Sequence, residues 1–184
     1  MRKDAKSEIV LMEIEKISTL DLPPIIGWHR KETVLNRRFL PIIGREKGAL
    51  LERLVKKHKP SSTLEIGTLV GYSAILMARN LEKGKIISLE IDKNAAKVAE
   101  SNIAKAGLSD KVDILVGDAK KTIRKLDKKF DFIFIDAKKE EYFAYLKLLE
   151  NKMEKGCIIV ADNAKIYADA MKDYLHHVRD SGRY

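Results

Sequence analysis

The chain has 184 residues, 45% of them hydrophobic, and 36 Lys and Arg against 27 Asp and Glu give a formal charge of +9. That length and composition suit one soluble domain with a sizeable core. No apolar run approaches the ~20 residues of a membrane span, and the opening Met1-Arg2-Lys3-Asp4 has no signal-peptide character. A lone cysteine, Cys157, excludes an internal disulfide framework and fits a reducing cytoplasm. No Cys/His cluster has zinc spacing, so any metal must be held by oxygen ligands.

In chain order, residues 1–22 are expected as an amphipathic helix, with Ile9, Val10, Met12, Ile14 and Ile17 at near-helical spacing before Pro23-Pro24 ends it. Residues 23–44, with Trp28, Arg30, Phe39 and Pro41, are irregular and form the candidate flap over a site. A helix over about 45–58 precedes Pro60. Five apolar runs then predict buried strands: Thr63–Ile66, Ile86–Ile91, Val112–Val116, Phe130–Ile135 and Cys157–Ala161. Helices are expected near 72–82, 94–106, 119–126, 140–153 and 166–179, with Gly107 as the C′ residue of the second of these. Residues 1–184 are thus one domain: an N-terminal helix and flap over 1–44, and an α/β core over 45–184. The expected fold is a doubly wound, Rossmann-like parallel sheet with helices on both faces.

In such a sheet ligands bind beyond the carboxyl ends of the strands, so the residues after each run carry the functional information. The first run leads into Gly67-Thr68-Leu69-Val70-Gly71, a turn that lets backbone approach a ligand. Glu65 stands where a dinucleotide fingerprint has its first glycine, which argues against a nicotinamide oxidoreductase. The second run ends in Glu90-Ile91-Asp92; Asp92 reads as a helix cap, leaving Glu90 to accept from ribose hydroxyls. Asp118, after the third run, either caps the next helix or accepts from an adenine amino group. The fourth and fifth runs end in Asp136 and in Asp162-Asn163. Neighbouring strands would bring these together as two carboxylates and an amide, an all-oxygen partial shell suited to Mg²⁺.

The chain resembles the cation-dependent, S-adenosylmethionine-dependent O-methyltransferases that include the catechol and caffeoyl-CoA enzymes. The motifs carrying this are 64–74 (Leu-Glu-Ile-Gly-Thr-Leu-Val-Gly-Tyr-Ser-Ala), 89–92, 106–112, Gly117-Asp118-Ala119, 135–142 and Val160-Ala161-Asp162-Asn163. Pro41-Ile42-Ile43-Gly44 is similar to the family's cofactor-covering turn, which puts Ile43 against the cofactor. The resemblance implies that Glu65, Gly67 and Ser73, with Tyr72 alongside, hold the methionine part of S-adenosylmethionine. Glu90 would take the ribose, Asp118 and Ala119 the adenine. Asp136, which also borders the cofactor, would ligate Mg²⁺ or another divalent cation with Asp162 and Asn163. Lys139 would match the catalytic lysine, acting with Asp136, and Phe39 an aromatic gate.

The expected function is methyl transfer to a hydroxyl of a vicinal-diol or catechol-like small molecule in the cytoplasm. The basic balance keeps open an RNA acceptor of the tRNA hydroxyuridine type, and a non-catalytic adenosyl-binding module is a further alternative. Family members have a seven-stranded sheet and five strands are read here, with the C-terminal pair missing. Either the chain is shortened or a second subunit covers the open edge; a homodimer is the expected state. Cys157 is read as a core residue of a strand, and His176 and His177 as surface or packing residues.

Overall fold

A computed structural model describes residues 3–18 and 40–184. Helix α1 (Lys3–Ser18) and helix α2 (Gly44–His58) precede the sheet. Strands β1 (Ser62–Ile66), β2 (Lys85–Glu90), β3 (Val112–Val116), β4 (Phe130–Ile135) and β5 (Met153–Ala161) then alternate with helices. These are α3 (Tyr72–Asn80), α4 (Lys93–Lys105), α5 (Ala119–Lys125) and α6 (Tyr142–Leu149), and α7 (Lys172–Asp180) follows β5. Every strand pair is parallel, in the order β3-β2-β1-β4-β5.

Alternation along the strands divides the core in two. Phe132 and Phe134 of β4 pack with residues of α1 to α4, among them Leu51, Val55, Ile75 and Ala99. Ile133 and Ile135 face the other way and join Leu64, Ile66, Tyr142, Leu146 and Tyr174. Strands apolar on both faces need helices on both faces, which is why parallel crossovers cover this sheet twice. The order reverses between β1 and β4, so the tips of β1, β2, β4 and β5 flank one crevice.

Several boundaries differ from expectation. In α1 the buried stripe is Ser7, Val10, Leu11 and Ile14, while Ile9 and Met12 are exposed; the i, i+3, i+4, i+7 spacing of that stripe fixes the phase. Ile17, residues 19–39, and with them Trp28, His29, Arg30 and Phe39, lie outside the described side chains. The expected helix over 140–153 is α6 flanked by short 3-10 turns at Lys139–Glu141 and Glu150–Lys152. β5 starts at Met153, which pairs Phe130, and an irregularity lets Ile158 pair Phe132; Gly156, with φ of +80°, absorbs it. Residues 162–171 form successive turns, and the last helix begins only at Lys172. Asn163 is the physical reason, because its φ of +61° turns the chain left-handed straight after the strand.

Candidate active site at the strand tips

The loop after β1 is fixed residue by residue. Gly67 has φ of +102°, and a Cβ there would lie 2.1 Å from the Asp136 carbonyl oxygen, so only glycine allows the β1 and β4 tips to approach this closely. Leu69 takes the left-handed region at φ of +52° and donates its N–H to Glu90 Oε2 at 2.7 Å. Asp92 N–H donates to Glu90 Oε1 at 2.9 Å. Each Glu90 oxygen therefore accepts one backbone proton and keeps lone-pair capacity toward the crevice. Asn102 Nδ2 holds the Val70 carbonyl at 2.9 Å.

Beneath the loop, Glu65 is fully buried. Its carboxylate accepts from Ser73 Oγ at 2.5 Å and from Ser88 Oγ, and Thr68 and Ser88 share a further hydroxyl contact at 2.5 Å. Burial pushes the Glu65 carboxyl up to about 7 although both serine bonds oppose the shift. Glu65 thus meets the crevice through Ser73 and the loop it braces. The Tyr72 hydroxyl points to α1 and donates to Glu15, which also accepts from Arg45 Nε at 2.6 Å. Burial and the Glu15 carboxylate hold that phenol protonated well above its ordinary range.

Both acidic cap readings hold. Asp92 Oδ1 accepts from Asn94 and Ala95 N–H at the start of α4, and Asp118 Oδ1 accepts from Lys121 N–H at 3.1 Å at the start of α5. Ala119 opens α5 directly beside it. Ile43 immediately precedes α2 and packs against the α1–α4 core. Ile91, between Glu90 and Asp92, is an apolar side chain left 74% exposed at the crevice. No motif singled it out, although an isoleucine between two acidic residues at a strand exit is the signal that finds it.

The tips of β4 and β5 carry the charged part. Ile135 pairs Ala161, and Asp162 N–H donates to the Ile135 carbonyl at 2.9 Å, so Asp136 and Asp162 each follow a registered pair on adjacent strands. Lys139 Nζ donates to Asp136 Oδ1 and to Tyr142 Oη, both at 2.8 Å. The Tyr142 proton goes to the Ile135 carbonyl at 2.9 Å. Burial raises the Asp136 carboxyl above its ordinary range, Lys139 opposes the shift, and the Asp162 charge adds to it. Lys47, in the first turn of α2, lays its ammonium across Asp162 at 2.7 Å from Oδ1 and 3.0 Å from Oδ2. Neither Tyr142 nor Lys47 was assigned a role from the sequence; the Lys47–Asp162 pair spans 115 positions and has no local signature.

His176 and His177 lie elsewhere: His176 pairs Asp180 at the surface and His177, half-buried, pairs Glu150 on the α7 side, in the surface or packing roles expected. Cys157 is a strand residue, as expected, but packs at the margin of the core, half-buried, with its thiol pushed up to about 12 by burial. Among the described residues no helix is long and apolar enough to cross a membrane.

A five-stranded parallel sheet with this strand order and these tips is the Rossmann-like class I methyltransferase fold. It is shared with a solved structure of the O-methyltransferase TomG from Streptomyces achromogenes, involved in tomaymycin synthesis and in complex with SAM. That likeness has a TM-score of 0.71 at 30% identity, over 79% of this chain and 73% of that one. A sequence model described as O-methyltransferase matches residues 15–174, and the chain belongs to that family. It is 35% identical over 150 residues to catechol O-methyltransferase of Sus scrofa, covering 77% of this chain and 80% of that one. It is 34% identical over 157 residues to catechol O-methyltransferase B of Danio rerio, covering 81% of this chain but only 59% of the relative.

Proposed function

We propose that the chain transfers the methyl group of S-adenosylmethionine to a hydroxyl oxygen of a catechol-like small molecule, with Mg²⁺ or another divalent cation held by Asp136, Asp162 and Asn163. The observation that carries this reading is the pair of carboxylates at adjacent strand tips, each already holding an ammonium, beside the Glu90 crevice. The donor set fits a hard cation. Two carboxylates and an amide oxygen would leave positions for water and acceptor oxygens. Lys47 supports the fit as a stand-in cation lying across both Asp162 oxygens.

In this reading Glu90 takes the ribose hydroxyls on its remaining lone pairs. Ile91 offers an apolar platform to the adenine, beside Asp118 and Ala119. Gly67 and Ser73, braced from below by Glu65, face the methionine end, with Ile43 and Tyr72 on the α2 and α1 sides. When bound, the donor supplies a methyl group activated on a sulfonium, and the cation supplies a Lewis acid that orients and acidifies the acceptor hydroxyl. Lys139, an ammonium paired with Asp136 in the cation-free protein, would act in its deprotonated form, taking the hydroxyl proton while the oxygen–carbon bond forms and the sulfur–carbon bond breaks. Tyr142 is a positioning residue, fixing Lys139 Nζ through an oxygen whose own proton goes to backbone carbonyls, Ile135 at 2.9 Å and Asp162 at 3.3 Å. Holding both reactants in line is the largest contribution asked of the protein, up to about 7–11 kcal/mol.

Among the described residues, three lysines at the rim face carboxylates, Lys47 with Asp162, Lys139 with Asp136, and Lys120 with Glu141, which supports the small-molecule reading over an RNA acceptor. Calorimetry with S-adenosylmethionine on wild type and Asp162→Ala, paired with turnover of a simple catechol, tests the proposal. Cofactor binding is expected to survive the substitution while Mg²⁺-dependent turnover is lost. Turnover indifferent to chelators would remove the cation from the mechanism.

A further inference from the structure

Lys47 sits where a cation is least comfortable on its own helix. It lies in the first turn of α2, at the positive end of the helix dipole. Its side chain is 45% exposed, whereas that of the Asp162 it meets is 11% exposed. Contact with both carboxylate oxygens covers the face through which Asp162 would meet an ion shared with Asp136. The Lys47 charge also acts on Asp136, which already has Lys139. Two ammonium groups thus neutralise two carboxylates. A divalent cation entering with both lysines in place would raise the local charge from zero to +2, whereas departure of Lys47 limits it to +1.

We infer that Lys47 is a displaceable internal counter-ion: its ammonium stabilises the Asp136–Asp162 pair in the cation-free protein, competes with the divalent cation, and must swing off Asp162 when the cation binds. The inference rests on the cation reading above and adds a regulating residue to it. Lys47 suits the task because its flexible four-carbon stem and half-exposed head allow it to move into water without disturbing the α2 backbone. Asp136 keeps Lys139, which Tyr142 holds from the other side, so Lys47 is the ammonium free to leave.

The contact also ties α2 to the exit of β5, and residues 41–44, which lead into α2, carry the turn read as covering the cofactor. Cation binding would therefore release one anchor of that turn.

The test uses the full chain stripped with EDTA and titrated with Mn²⁺, with free aqua ion followed by electron paramagnetic resonance. Lys47→Met is expected to bind Mn²⁺ about tenfold more tightly than wild type, equivalent to about 1.4 kcal/mol. Lys47→Arg, which keeps a competing cation, is expected to stay near wild type. In EDTA, Lys47→Met is expected to melt below wild type, with a larger rise on adding Mn²⁺, because two neighbouring carboxylates lose their shared counter-charge. Equal Mn²⁺ affinities for wild type and Lys47→Met overturn the counter-ion inference and leave the cation site intact. Absence of Mn²⁺ binding in both, or undiminished binding in Asp162→Asn, overturns the cation reading itself and the inference with it.

Discussion

Glu65 shows how a single side chain couples burial to stability. Its carboxyl is pushed up to about 7 from an ordinary 4.5, chiefly by burial. The folded protein therefore holds this proton more tightly than the unfolded chain does. The corresponding stability, roughly 3 kcal/mol, is fully present below about pH 4.5 and is lost as the pH rises through about 7. Glu65→Gln cannot titrate, so thermal unfolding of that variant is expected to lose the decline that wild type shows between those limits. Parallel declines in the two proteins would mean that Glu65 does not titrate in this range. At this scale the sequence was legible where a role follows from a strand exit: Glu90, Asp136 and Asp162 all stand at such positions. It was not legible where a partner arrives from far along the chain, as Glu15 reaches Tyr72 and Lys47 reaches Asp162. Tyr72 lay inside a recognised motif, yet its hydroxyl serves α1, because the helix that receives it is distant in sequence.

At the scale of elements, α1 is held to the cofactor-side helices by charge as well as by its apolar stripe. Glu15 bridges Tyr72 of α3 and Arg45 of α2, and Arg79 of α3 joins Glu8 of α1 to Glu52 of α2. Tyr72→Phe removes a largely buried hydrogen bond to a carboxylate and is expected to cost about 1.5–3 kcal/mol in urea denaturation. A double-mutant cycle with Glu15→Gln assigns that loss: strong non-additivity locates it in the pair, while simple addition would show the two residues to be independent. Strand existence was legible because short, largely apolar runs rich in β-branched and aromatic residues, four to six residues long, recur between helical stretches. Boundaries at the C-terminal end were less so. Glu154-Lys155-Gly156 breaks the apolar run, so β5 seemed to start four residues late, and Asn163 delays the helix that the apolar residues of 166–171 suggested.

Across the whole molecule, strand order made the difference between scattered acidic residues and a site. Glu90, Asp136 and Asp162 are far apart in the chain, and only the arrangement β3-β2-β1-β4-β5 brings their strands side by side. That arrangement was legible because alternating strands and helices with right-handed crossovers leave few topologies open. The phase of α1 was not, since apolar residues lie on more than one side of that helix and packing on α3 and α4 selects among them. The same economy makes the centre of the fold intolerant. Gly67→Ala must relieve both a positive φ and a 2.1 Å approach to the Asp136 carbonyl. The expected loss is at least about 3 kcal/mol, or on the order of 10 °C in Tm, measurable by calorimetric unfolding; a loss below about 1 kcal/mol would show that the strand tips part freely.

That single backbone approach has a mechanical meaning for the chemistry. On the proposed reading, the turn assigned to the methyl donor and the strand exit assigned to the acceptor rest on one another through the Gly67–Asp136 backbone approach, so the gap separating the two reactants would be gauged by main-chain atoms. A larger or smaller acceptor would then be accommodated away from this contact, while the span across which the methyl group travels would stay constant.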